Sequence, residues 1–130
     1  MYARKRYKEA RVRTARPEEL IVMLYDGALK ALDKLTRAIG EKQPSDASDA
    51  VRSFLDITSY LHATIDPAPA PELARHLSRT YEVWQGIIVR ARLQGDLETV
   101  EEIREQLVSL RDAWATAART PPSNPDQRPF

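Results

Sequence analysis

Residues 17–40 read PEELIVMLYDGALKALDKLTRAIG, and their spacing decides the fold class. Leu20, Leu24, Ala28, Ala31, Leu35 and Ala38 follow one another at steps of three or four, the period that gathers side chains on one face of an α-helix. Pro17 suits the first helical position, where its missing N–H has no intrahelical partner to lose. Glu18 and Glu19 favour the positive end of the helix dipole. Gly40 stands where a C-terminal cap is expected. The core stripe should centre on Leu24, Ala28 and Leu35.

Three further segments carry the same period. One starts near Ser45, a good N-cap residue, and lines up Ala47, Val51, Phe54, Thr58, Leu61 and Ile65 before Asp66-Pro67 stops it. Pro67, Pro69 and Pro71 rule out helix through the connection. The next opens at Pro71-Glu72 and gathers Leu73, Leu77, Tyr81, Trp84, Ile88 and Ala91. Gly95-Asp96 then reads as stop and restart, glycine as C-terminal cap and aspartate as N-cap. The last repeats Val100, Ile103, Leu107, Leu110 and Trp114, close to a heptad seam. Helices are therefore predicted over about 17–40, 45–66, 71–94 and 96–118. Four helices on short links form antiparallel neighbours, so the predicted fold is all-α, an up-down four-helix bundle. Residues 1–16 form a predicted basic N-terminal arm or short helix, and 119–130 a Pro-containing tail predicted to be disordered.

Composition narrows the function. The chain has 130 residues, enough for one domain, with 30% charged and 42% hydrophobic residues. No apolar run reaches the length of a membrane span, and no secretory h-region precedes Pro17. With no cysteine, disulfides, thiolate catalysis and thiolate metal sites are excluded. A cytoplasmic location is the expectation from these absences. Before Pro17 stand Arg4, Lys5, Arg6, Lys8, Arg11, Arg13 and Arg16, opposed by Glu9 alone. Such an arm can attract phosphates or an acidic partner. No helix-turn-helix, zinc or RNA-binding signature accompanies it, so a solvated arm is expected and nucleic acid is not.

Catalytic chemistry finds no foothold. His62 and His76 are preceded three positions earlier by Ser59 and Leu73, so the Glu-x-x-His pairs of di-iron bundles are missing. There is no Gly-x-Ser-x-Gly elbow and no phosphate-cradling glycine motif. No catalytic residue, metal or cofactor is expected, and His62 reads as a packed or rim histidine.

Surplus apolar surface is the informative feature. Ile21, Val22, Tyr25, Leu29 and Leu32 widen the first helix's apolar arc to roughly twice the usual 100°. Such a helix either packs between two neighbours or meets the N-terminal arm, a second copy in a homodimer, or a foreign peptide. Gly27 costs about 1 kcal/mol relative to alanine in mid-helix and reads as room for close backbone approach.

The stretch Val12-Arg13-Thr14-Ala15-Arg16-Pro17-Glu18-Glu19-Leu20, followed by Met23-Leu24-Tyr25-Asp26-Gly27-Ala28, resembles the flagellar export chaperone family FliS. That family opens its first long helix with V-x-T-A-S-P-E-E-L and continues with M-L-Y-D-G-A. Tyr7, Leu77, Tyr81, Leu110-Arg111 and Ala113-Trp114 also fall in register. Arg16 departs from the capping serine, Thr80 and Val83 from leucine and tyrosine, and Arg92 from asparagine. The resemblance implies a chaperone that binds the C-terminal segment of flagellin, prevents premature polymerisation and aids delivery to components of the flagellar export gate. On that reading Ile21, Val22, Tyr25, Gly27 and Leu29 border the client groove. The arm, through Tyr7 and Val12, would cover that groove when it is empty. A helical adaptor for another flagellar or regulatory protein is the second reading.

Overall fold

The computed structural model describes residues 17–119. Four helices fill it: α1 (Pro17–Gly40), α2 (Pro44–Ala63), α3 (Pro71–Gln94) and α4 (Leu97–Arg119). They run up and down as an antiparallel bundle in which α1 packs on α2 and α4, and α3 closes the square. No strand occurs among the described residues, and no helix there is long and apolar enough to cross a membrane.

The two sides of the square are built differently. Backbones approach most closely between α1 and α2, where Ala28, Ala31 and Ala38 meet a helix presenting Ala47 and Ala50. Small side chains permit that approach, and Gly27 extends it: a Cβ there would lie 3.2 Å from the Ile57 Cδ1 atom. The room expected beside Gly27 is thus filled from within the bundle. Around α3 the spacing is wider, because Tyr81 and Trp84 occupy the interior beside Trp114 of α4.

Those aromatics bring polar tips into the core, and each tip is bonded. The Tyr25 and Tyr81 hydroxyls share a hydrogen bond of 2.7 Å across the bundle diagonal. The Trp114 indole N–H is hydrogen-bonded to Tyr25 as well, so α1, α3 and α4 meet at one buried polar point. Burial and the neighbouring phenol push the Tyr25 hydroxyl well above its ordinary pKa, and burial does the same to Tyr81. The Trp84 indole donates to Gln106 Oε1 at 2.8 Å, joining α3 to α4. Buried Thr58 donates to the Phe54 carbonyl at 2.8 Å and accepts from Gln85 of α3 at 2.9 Å.

Several sequence expectations shift. On α1 the fully buried positions are Tyr25, Ala28, Leu32 and Leu35, while Leu24 is half-buried; the stripe is rotated toward Tyr25 and Leu32. On α3, Ala74 enters the core and Leu73 stays exposed, because the bundle ends there. Helix α2 begins at Pro44, with Gln43 rather than Ser45 at the cap, and stops at Ala63. Proline at the first position replaces a side-chain cap. Gly40 remains helical, and the left-handed residue is Lys42, at φ 54°. The Gln43 N–H reaches the Ala38 carbonyl at 2.8 Å and the Lys42 N–H that of Ile39 at 3.2 Å, a Schellman ending. Gly95, at φ 64°, closes α3 in the same way, as expected. Asp96 caps α4 through Thr99, whose N–H it accepts at 3.1 Å and whose hydroxyl it accepts at 2.7 Å. Those bonds hold the Asp96 carboxyl below its usual pKa.

Candidate functional site

The α1–α4 seam carries two of the residues singled out in sequence, Val22 and Leu29. Two ion pairs set its register: Arg111 to Asp26 and Arg104 to Asp33, each with Nε to Oδ1 at 2.8 Å. Both pairs are partly open to solvent, so they fix alignment more than they add stability. Antiparallel register then places Leu29, between the two aspartates on α1, level with Val108 of α4, and Val22 level with Ala115. Val22 and Leu29 are half-buried and pack against the core, and Val108 and Ala115 are half-buried too, whereas half-buried Ile21 lies one turn before Tyr25 on the inward side of α1. The result is a shallow apolar strip with a charged pair at each end of Leu29.

Tyr25 and Gly27 do not join that strip. Tyr25 is 0% exposed, its ring inside the bundle and its hydroxyl committed to Tyr81. Gly27 faces α2 under Ile57. Leu32, also counted as surplus on α1, is fully buried. Burial is the physical reason in each case: α1 contacts two seams, and most of its wide apolar arc is spent on them. Tyr7 and Val12 lie outside the described residues, as do Arg16 and the tail from residue 120.

Sequence reasoning passed over the apolar surface of α3. Leu73, Val83, Val89 and Leu93 are exposed, with Leu93 at 72%. Ile87 is half-buried beside them. The available signal was the mismatch between the number of apolar residues on α3 and the six that its core stripe uses. Thr80 and Val83, which depart from the family pattern, sit on this side of α3; the Thr80 hydroxyl is turned back onto the His76 carbonyl at 2.9 Å. Arg92, the third departure, ties the end of α3 to the start of α2, donating to the Pro44 carbonyl at 3.2 Å and to Ser48 at 3.1 Å. His62 is a rim residue whose Nε2 lies 3.4 Å from Glu82.

An open hollow of about 480 Å³ lies at the bundle end where α1 turns into α2 and α3 into α4. Ile39, Lys42, Pro44, Arg92 and Leu93 are among its walls. It holds no convergent set of groups for bond-making chemistry. What the surface offers instead is the apolar strip between α1 and α4 and the exposed apolar side chains of α3.

Comparison with known proteins decides the lineage. The family model described as "Flagellar protein FliS" matches residues 1–121. The chain belongs to the FliS family. It is 29% identical over 107 residues to the flagellar secretion chaperone FliS of Salmonella typhimurium, covering 82% of this chain and 79% of that protein. It is 28% identical over 118 residues to the flagellar secretion chaperone FliSB of Pseudomonas aeruginosa, covering 88% and 94%. Against the flagellar secretion chaperone FliS of Bacillus subtilis the identity is 26% over 114 residues, covering 88% and 84%. These FliS-family matches run through all four helices.

Proposed function

We propose that this chain is a cytoplasmic flagellar secretion chaperone, not an enzyme, and that its client is the C-terminal segment of flagellin. Bound there, it would keep the segment from polymerising early and help deliver it to the export apparatus. The observation that carries the reading is the match to the FliS family across the bundle. The apolar strip of Val22 and Leu29 between α1 and α4 supports it. A segment that buries its apolar face in an assembled filament needs an equivalent apolar cover beforehand, and a strip between two helices can supply one. Arg111, Asp26, Arg104 and Asp33 border the strip with both signs of charge, which favours one orientation of the bound segment.

Titration calorimetry against the C-terminal segment of the cognate flagellin tests this. Binding with a negative heat-capacity change is expected. Leu29→Asp should weaken it at least about tenfold, as truncation of a central apolar anchor does. Absence of any complex with the wild-type chain would overturn the client assignment. Undiminished affinity in Leu29→Asp would remove the strip from the groove.

A further inference from the structure

The outward face of α3 contributes no side chain to the core. Gly86 lies there, opposite the core positions Leu77, Trp84 and Ile88, and a Cβ on it would meet nothing within 4 Å. Gly27 is explained by Ile57; Gly86 has no such explanation. Around it the chain reads Glu82-Val83-Trp84-Gln85-Gly86-Ile87-Ile88-Val89-Arg90. Trp84 and Ile88 are spent on the core and Gln85 on α2, where its amide donates to Thr58 and Ser59. Glu82, Val83, Gly86, Val89 and Arg90 are exposed, Glu82 at the α2 edge of the face with its carboxylate 3.4 Å from His62 Nε2.

This outward set is symmetric about Gly86. Val83 and Val89 stand three residues to either side, and Glu82 and Arg90 four residues to either side with opposite charge. Two such helices laid antiparallel, crossing at their glycines, set Glu82 of each level with Arg90 of the other. The same operation sets Val83 level with Val89, and Leu93 beside the aliphatic stem of Arg79. Glycine at the crossing lets the backbones approach closely enough for the valines to touch. A parallel pairing would set like charges together. An isologous contact demands this self-complementarity, in which residue i meets j and j meets i.

We propose that a second copy of this chain docks on this face, giving an antiparallel two-fold dimer that crosses at Gly86. The face lies diagonally across the bundle from α1, so the dimer leaves the α1–α4 strip open and does not depend on which client that strip receives. One helix pair buries less surface than a standard stable interface, so the association is weak and reversible, with dissociation constants of about 10–500 μM.

Sedimentation equilibrium of the full chain, from about 5 μM to 1 mM, tests the proposal, with circular dichroism verifying the fold of each variant. A reversible monomer–dimer equilibrium is expected. Gly86→Leu should weaken it at least about tenfold by blocking the crossing. Glu82→Arg and Arg90→Glu should each weaken it, and the double reversal should restore it. Because the natural chain has no cysteine, Gly86→Cys gives a single thiol on the two-fold axis and should cross-link under mild oxidation. Glu105→Cys, on the outer face of α4, should not. A wild-type chain monomeric throughout overturns the dimer, as does a dimer indifferent to Gly86→Leu or to the charge reversals. A monomer in which Gly86→Leu makes the terminal segments newly sensitive to protease also overturns it, and assigns the face to those segments.

Discussion

Helices α1 and α3 are the same length, stand at opposite corners of the bundle and each carry a glycine near the middle, yet they use their apolar residues in opposite ways. Helix α1 looks over-supplied in sequence and spends nearly all of it inside: Tyr25 and Leu32 are buried, and Gly27 receives Ile57. Helix α3 looks ordinary and leaves Val83, Val89 and Leu93 outside, with Gly86 bare among them. An apolar count therefore does not locate a free surface. The number of seams a helix must fill decides how much is left over, and α1 packs closely on two neighbours while α3 is held at a distance by its own large aromatics.

The contrast can be broken most sharply with leucine truncations. Leu32→Ala on α1 should cost about 2–5 kcal/mol in urea unfolding, the range for a cavity in a closed core. Leu93→Ala on α3 should stay within about 0.5 kcal/mol of wild type. Equal losses would mean that α3 is covered in solution under the conditions used.

The hydroxyl pair comes next. Tyr25→Phe removes the acceptor of the Trp114 indole and the partner of Tyr81, leaving buried polar groups unmatched, and should cost about 1–3 kcal/mol. The same pair sets an alkaline limit. Both phenols have raised pKa values in the folded chain, so their contribution is complete below the unfolded value of about 10 and is lost as pH rises above it. Stability measured from pH 8 to 11 should fall above pH 10, and the fall should flatten in Tyr25→Phe/Tyr81→Phe.

Glycine replacements sharpen the comparison further. Gly27→Leu must displace Ile57 and should lose about 1–3 kcal/mol, whereas Gly86→Leu enters open space and should gain up to about 1 kcal/mol in helix propensity. Thermal unfolding at a concentration low enough to keep the chain monomeric reads both. The smallest effect belongs to the two Schellman endings. Lys42→Gly should raise stability by about 1 kcal/mol by relieving a left-handed backbone that Gly95 already occupies without strain.

Much of the fold was legible because period, proline and glycine are local signals. The runs of Leu, Ala and Ile at three-and-four spacing locate all four helices, and Gly95-Asp96 marks its turn. The rotation of the α1 stripe was not legible. Whether Leu24 or Tyr25 faces inward depends on Tyr81 and Trp114 supplying hydrogen bonds to a phenol, and those residues lie 56 and 89 positions away in the chain. The ending of α1 was misplaced for a similar reason. Gly40 is the better left-handed residue in isolation, but the Ala38 and Ile39 carbonyls are matched by amides two positions further on, and the strain falls on Lys42. The candidate strip was half legible: Val22 and Leu29 share one side of α1, while Ile21 and Tyr25 lie on its inward side and Gly27 faces α2.

The chain contains two tryptophans, Trp84 and Trp114, and both are buried with their indole N–H groups bonded to different partners on different helices. Nature has thereby installed two optical reporters with separate assignments. Trp84 answers to the α3–α4 boundary through Gln106, and Trp114 to the three-helix junction through Tyr25. With one of them exchanged for phenylalanine, the emission colour of the other would tell which boundary opens first when a client arrives or the chain unfolds, with no added dye.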